Sequence, residues 1–244
     1  MTIEAGLTRY EKVNEEIKKE LEKRKKVTVK DVNGQRYIGC ALDADKTIEV
    51  YGTPGNDMAC YLNGGRVVVY GNCQDAVGNT MNGGEIIVHG HSGDAMGYGM
   101  RDGQIYIRDN VACRGGIHMK EFRQMRPVLV IGKNAGSFLG EYMAGGTIVL
   151  LGLDMKRGEK LFGTHCASGM HGGKIFVRGN FPKENLSANI KITNLDEADK
   201  KELEGYVKKY CKYFDTDFDK VMSKPFKKLV PATSRPYANL YTPN

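Results

Sequence analysis

The stretches GGRVVVYGNCQDAVGNTM (64–81), GGEIIVHGHSGDAMGYGM (83–100) and DGQIYIRDNVACRGGIHM (102–119) are three copies of one unit, repeating every 19 residues. Looser copies follow: PVLVIGKNAGSFLGEYM (127–143), GGTIVLLG (145–152) and GGKIFVRG (172–179). One copy precedes them, TIEVYGTPGNDMACYL (47–62). Closing each strand with Gly52, Gly71, Gly90, Asp109, Gly132, Gly152 and Gly179 gives steps of 19, 19, 19, 23, 20 and 27. Insertions therefore follow the fourth and sixth copies.

Each copy opens with alternating aliphatic residues: Ile48/Val50, Val67/Val69, Ile86/Val88, Ile105/Ile107, Val128/Val130, Ile148/Leu150 and Ile175/Val177. The intervening positions include Glu49, Tyr51, Tyr70, His89, Tyr106, Arg108 and Arg178. A two-residue period of this kind is a half-buried strand. Hairpins would need only two to five linking residues and would reverse direction. The linkers here are longer, yet too short for a crossover helix. A coil that returns each strand about 4.8 Å above the last satisfies both limits. The pattern predicts an all-β core: a right-handed parallel β-helix of about seven coils, with flanking N- and C-terminal α-helices.

The rest of the repeat agrees. Met81, Met100, Met119, Met143 and Met170 recur, with Leu62 in the first copy, and in-register stacking makes them core residues. Gly78, Gly97, Gly116 and Gly140 lie three residues before a methionine. Gly-Gly pairs sit just before several strands, where positive φ and close approach are needed. The division expected is 1–42 as an N-terminal helix and capping segment, 43–180 as the β-helix, and 181–244 as a C-terminal helical segment and extended tail.

The flanks suit covers for the open ends of a stack. Thr8–Lys26 reads as a helix with Thr8 and Glu11 as a capping box and Tyr10, Val13, Ile17 and Leu21 in one stripe. Pairs Glu15–Lys19, Glu20–Arg24 and Glu22–Lys26 suit its polar side. Asn194–Phe214 reads likewise, starting at Asn194/Glu197 and carrying Leu203, Val207, Tyr210 and Phe214 on one face. A short helix near Phe218–Met222 stops before Pro225, and the tail Lys228–Asn244 reads as extended, pressed down through Tyr237, Leu240 and Tyr241.

The chain has 244 residues, 41% hydrophobic and 27% charged, with 31 glycines and a net charge of +7. Lys and Arg exceed Asp and Glu by ten to seven over 1–42 and by twelve to nine over 181–244, but only by fourteen to thirteen between. The basic excess thus belongs to solvated flanks and gives no nucleic-acid groove; the run Lys23-Arg24-Lys25-Lys26 reads as the last turn of a helix. The first 30 residues are charged, with no apolar leader, and no stretch approaches 18 apolar residues, so a cytoplasmic protein without membrane contact is expected. The six cysteines, Cys40, Cys60, Cys73, Cys113, Cys166 and Cys211, form no CxxC and read as buried free thiols.

Chemistry is sparse. Gly97–Gly103 lacks the spacing and the strand–turn–helix setting of a dinucleotide fingerprint, and no Walker A sequence occurs. Asp75 and Asp94 occupy equivalent coil positions and suit turns rather than acid–base work. His165, Cys166 and His171 are weak metal candidates, without a recognised ligand spacing. No catalytic or cofactor-binding residue is assigned. Leu129, Ile131, Val149 and Leu151 are expected outward on the fifth and sixth coils, as an apolar patch for a partner or for the chain's own second helix.

The repeat Gly-Gly-x-Ile-x-Val-x-Gly with its following Gly-x-x-Met resembles the GXGXG domain, the C-terminal β-helix of the glutamate synthase large subunit. The likeness is carried by NGQRYIG (33–39), YGTPGNDM (51–58), GNTMNGG (78–84), GDAMGYGMRDG (93–103), GIHMKEF (116–122) and IGKNAGSFLGEYMAGGTIVLLG (131–152), and covers about residues 10–244. The ending Arg235-Pro236-Tyr237 through Tyr241 is similar to stand-alone, archaeal-type versions. Asp109 departs from the usual glycine, and Ala112-Cys113-Arg114 from an expected aromatic residue before the arginine.

The resemblance implies a non-catalytic structural subunit of a split glutamate synthase, which makes glutamate from glutamine and 2-oxoglutarate. Its partners would be a class II glutamine amidotransferase-like subunit and an FMN-binding synthase subunit, the latter holding FMN and an iron–sulfur cluster. A second copy of this chain is a further partner. Thr2 stands where a class II amidotransferase has its cysteine nucleophile. The alternatives are a component of another oxidoreductase that shares the repeat, such as formylmethanofuran dehydrogenase, or an independent metal protein built on His165, Cys166 and His171.

Overall fold

Val50, Val69, Val88, Ile107, Ile131, Leu150 and Val177 lie one above another in a single parallel ladder. This column is the axis of the molecule. The computed structural model describes residues 1–234; the expected tail begins within a strand, Phe226–Pro231, and its expected anchors Tyr237, Leu240 and Tyr241 lie outside the described residues.

The chain enters through β1 (Thr2–Glu4), crosses as α1 (Tyr10–Lys23) and returns as β2 (Lys26–Asn33). The solenoid strands follow: β3 (Thr47–Thr53), β4 (Asn63–Tyr70), β5 (Asn82–Val88), β6 (Asp102–Ile107), β7 (Val128–Ile131), β8 (Ala144–Leu150) and β9 (Gly172–Arg178). Then come β10 (Ile190–Thr193), α2 (Glu197–Phe214), α3 (Phe218–Met222) and β11 (Phe226–Pro231). The sheet order is β1 to β9, then β11 and β10. From β1 to β9 every pairing is parallel; β11 and β10 add antiparallel at the end. The seven repeat strands make about six turns of a parallel β-solenoid. A second ladder of single parallel bridges, Cys73–Ser92–Val111–Ala135–Phe162, runs up another side of each coil.

Residues 1–42 differ from the helix-and-cap reading, because β1 and β2 lengthen the same sheet. Helix α1 ends at Lys23, and Lys46 Nζ caps it by donating to the Leu21 carbonyl at 2.7 Å. Lys26, expected at the end of the helix, opens β2 and pairs with Glu49 at 2.8 Å. The Thr8–Glu11 capping box does not form. Arg9 is the N-cap and makes no side-chain cap; Glu11 instead binds Arg9 at 2.7 Å. Val13, Ile17 and Leu21 are buried as the stripe predicts, and Glu20 pairs with Arg24 at 2.8 Å. Helix α2 begins two residues later than its sequence signal, where Asp196 and Asp199 form the capping box.

The interior is closely stacked. The aliphatic ladder and Met81, Met100, Met119, Met143 and Met170 are all at most 1% exposed. Each such side chain contributes roughly 1.5–3 kcal/mol of apolar burial. The Gly-Gly pairs lie inside the starts of the strands, at irregularities in register, and not before them. Gly84 shows why: its φ is +90°, and a Cβ there would overlap the carbonyl of Gly65 one coil below. Asp75 and Asp94 form a turn ladder, since Asp75 accepts from the Asp94 N–H and Asp94 from the Cys113 N–H, both at 2.8 Å.

Candidate interaction surface

After the first insertion the register differs from the spacing reading. Ile107 pairs with Ile131 and Ile131 with Leu150, so the two middle steps are 24 and 19 residues. A shift of one residue turns every side chain of a strand to the other face. Leu129 and Ile131, expected outward, therefore point into the solenoid, and Val128 and Val130 point out. Val149 and Leu151 do face outward, but both are fully buried beneath the chain's own helices.

That cover is specific. Tyr106, Val128, Val130, Val149, Leu151 and Phe176 form a second core with Leu203, Val207 and Tyr210 of α2 and Val221 of α3. Tyr210 Oη donates to the Arg108 carbonyl at 2.9 Å, and Tyr213 Oη to Glu85 at 2.7 Å. Arg178 reaches up to the carbonyls of Val221 and Lys220, at 2.5 and 2.9 Å. Lys174 and Lys228 both bind the carboxylate of Asp199 at the start of α2. The four-residue apolar patch is thus not a free surface.

The proposed metal trio does not converge. Cys166 is fully buried in the solenoid core, and burial pushes its thiol upward. His165 is exposed, at φ +58°, and stacks on Phe138 with ring centres 5.0 Å apart. His171 turns Nδ1 toward the Gly169 carbonyl at 3.1 Å. Among the described residues no group of three or more His, Cys, Asp or Glu is placed to hold a metal ion.

What the fold leaves exposed is a corner. Five coils make the same tight turn, closing on Leu62 or on an interior methionine: Ala59-Cys60-Tyr61-Leu62, Gly78-Asn79-Thr80-Met81, Gly97-Tyr98-Gly99-Met100, Gly116-Ile117-His118-Met119 and Gly140-Glu141-Tyr142-Met143. The first and third residues of each quartet have positive φ. The third donates its N–H to the second residue of the next coil, as from His118 to the Glu141 carbonyl at 2.9 Å. This backbone turns Tyr61, Tyr98, His118 and Tyr142 outward, while Cys60 and Ile117 at second positions stay buried. Tyr61, Tyr98 and Tyr142 are 52%, 42% and 38% exposed. His118 stacks flat on Tyr142 at 5.2 Å and edge-on to Tyr98 at 5.8 Å. Beside them Arg114 lies over Phe138, 5.1 Å from the ring centre. Exposed tyrosines on a rigid corner, ringed by Arg and His, have the composition of a protein-binding surface. Only part of this stands in the sequence: Tyr61, His118 and Tyr142 each precede a ladder residue, whereas Tyr98 lies one place earlier, before Gly99.

A groove of about 410 Å³ beside α2, lined by Lys26, Glu49, Arg66, Tyr70, His89 and Tyr213, lies on the outer sheet face. Two of its cations are matched, Lys26 to Glu49 at 2.8 Å and Arg66 to Glu85 at 3.4 Å. Tyr51, Tyr70 and His89 stack along it, with centre spacings of 4.6 and 4.8 Å. Burial, then Arg108, lowers the pKa of His89.

A parallel β-solenoid with Gly-rich corners and a filled interior defines the class of protein. The family model described as GXGXG motif matches residues 3–235, and the chain belongs to that family, the domain type of the glutamate synthase large subunit. An uncharacterized protein of Methanocaldococcus jannaschii is 42% identical over 253 residues, covering 100% of this chain and 97% of that one.

Proposed function

We propose that this chain is the scaffold subunit of a split glutamate synthase. It would hold a class II glutamine amidotransferase-like subunit and an FMN- and iron–sulfur-binding synthase subunit in one cytoplasmic assembly, and the flavin and cluster chemistry would belong to the synthase partner. The observation that carries the reading is the GXGXG match over nearly the whole chain. The corner of Tyr61, Tyr98, His118 and Tyr142 supports it, as a rigid aromatic surface fitted to another protein. No helix among the described residues is long and apolar enough to cross a membrane.

The test is reconstitution. The tagged chain is expected to retain both partner subunits from its own organism, and glutamine-dependent conversion of 2-oxoglutarate to glutamate is expected only when this chain is present. A partner pair that binds neither this chain nor needs it for that conversion overturns the assignment.

A further inference from the structure

The corner quartet extends one coil further toward the N-terminus than the strand repeat, as Gly39-Cys40-Ala41-Leu42. Gly39 and Ala41 have the same positive φ as their counterparts Ala59 and Tyr61. The second position of this quartet is Cys40, and the second position of the next is Cys60. The local turns match: the Cys40 N–H donates to the Tyr37 carbonyl at 3.1 Å, and the Cys60 N–H to the Asp57 carbonyl at 3.2 Å. The coils are locked in register there by Ala41 N–H to the Cys60 carbonyl and Ala59 N–H to the Ile38 carbonyl, both at 2.8 Å. Two cysteines therefore stand directly one above the other.

We infer that Cys40 and Cys60 form a dithiol modification site, closing to a disulfide that clamps the first corner of the solenoid to the second. Stacked positions in neighbouring coils sit about 4.8 Å apart, inside the Cα–Cα range of about 4.4–6.8 Å that a disulfide spans. Matching positive-φ backbone and the same local turn start both side chains from one edge of the stack, and the Cys40 thiol stands near enough to help push up the pKa of Cys60. Access is asymmetric. Cys40 is exposed and lines a cavity of about 590 Å³ between α1 and the first coil, walled by Ile17, Leu21, Leu42 and Ile48. Cys60 is 3% exposed. Burial first, and then the neighbouring Cys40, pushes the Cys60 thiol up to about 12, so Cys60 remains a thiol and Cys40 reacts first.

The oxidant is a low-molecular-weight disulfide, for which oxidised glutathione is the probe. Cys40, its proton lost to solvent, attacks one sulfur of the probe. That S–S bond breaks, and one glutathione thiolate leaves with the electron pair. Cys60 then gives its proton to solvent as its sulfur attacks Cys40 Sγ in the mixed disulfide, and the second glutathione leaves. Two protein thiols are oxidised, one glutathione disulfide is reduced to two thiols, and the two protons balance. Cys73 and Cys166 are buried in the interior, away from this route.

The full chain is incubated with oxidised glutathione, then unfolded, thiol-counted and mapped as tryptic peptides by mass spectrometry. Wild type is expected to lose two of its six thiols and to yield one intramolecular link, Cys40 to Cys60, reversed by dithiothreitol. C60S is expected to stop with one glutathione on Cys40, and C40S to keep all its thiols. Retention of six thiols, a persistent glutathione adduct on wild-type Cys40, or a link from Cys40 to any other cysteine or to a second chain overturns the inference.

Discussion

The Asp109 carboxylate and the Lys133 ammonium meet at 2.9 Å, one step apart in the stack, and the Lys133 N–H donates to the Asp109 carbonyl at the same distance. This pair marks the register across the first insertion. Burial alone would raise the pKa of Asp109, but hydrogen bonds from Lys133 and Arg108 hold it below its ordinary value. Asp109 is thus the counterpart of Gly90 below and Lys133 above. Gly132 moves one place earlier, next to Arg108. A Cβ on Gly132 would overlap both the Arg108 carbonyl and Tyr210 Oη.

Gly132→Ala is therefore expected to cost more than Tyr210→Phe. The tyrosine variant loses one hydrogen bond, worth about 1 kcal/mol. The alanine must displace both the ladder carbonyl and the helix that rests on it. Urea unfolding of the two variants beside wild type measures the order, and equal midpoints would refute this account of the glycine.

The register makes Leu129 and Val130 opposites. Leu129→Asp places an unpaired charge inside the solenoid and is expected to prevent folding. Val130→Asp places one beneath α2 and is expected to release the helix while the coils persist. The measurements are β-sheet circular dichroism, which should fall only for the first, and binding of a hydrophobic dye, which should rise for the second.

Asp199 anchors the start of α2 between Lys174 and Lys228. Burial would raise its pKa, but hydrogen bonds from Lys228 and Lys174 and from the Asp196 N–H bring it down to about 2. A carboxylate depressed in the folded state stabilises fully above its unfolded value of about 3.9 and loses that contribution as pH falls through the folded one. Stability is expected to drop by about 2 kcal/mol between roughly pH 4 and pH 2 from this group. Asp199→Asn should be less stable at pH 7 and lack that part of the acid slope. Parallel slopes for the two proteins would count against the ion pairs.

The solenoid was legible because the inner face of each strand from β3 to β6 is wholly aliphatic, while the outer face carries Glu49, Arg66, Tyr70, Glu85 and Tyr106 beside Val68 and Ile87. Strand β7, Val-Leu-Val-Ile, is buried on both faces, so periodicity alone cannot orient it. Strand β2 was hidden for two reasons. The Lys23–Lys26 run reads as a helix end, and the Val27/Val29 alternation is interrupted at Asp31, where φ is +54° and the register shifts before Val32. The exposed corner was missed because its columns are set by positive-φ backbone at non-glycine residues such as His118 and Tyr142, which composition does not announce.

The same corner gives the most direct test of the scaffold reading. His118 and Tyr142 have φ of +56° and +51°, and asparagine tolerates that region better than most side chains. His118→Asn with Tyr142→Asn therefore removes the stacked aromatic surface and keeps the turn. Both residues lie outside the two hydrophobic cores, so stability is expected to change by no more than about 1 kcal/mol. Central aromatic residues of an interface commonly cost more than 2 kcal/mol when truncated. If partners dock here, the double variant should bind them at least about tenfold more weakly, with its melting curve nearly unchanged. Calorimetric titration with each partner subunit reads that loss and says which of the two uses the corner. Undiminished binding of both would place the docking surface elsewhere on the solenoid.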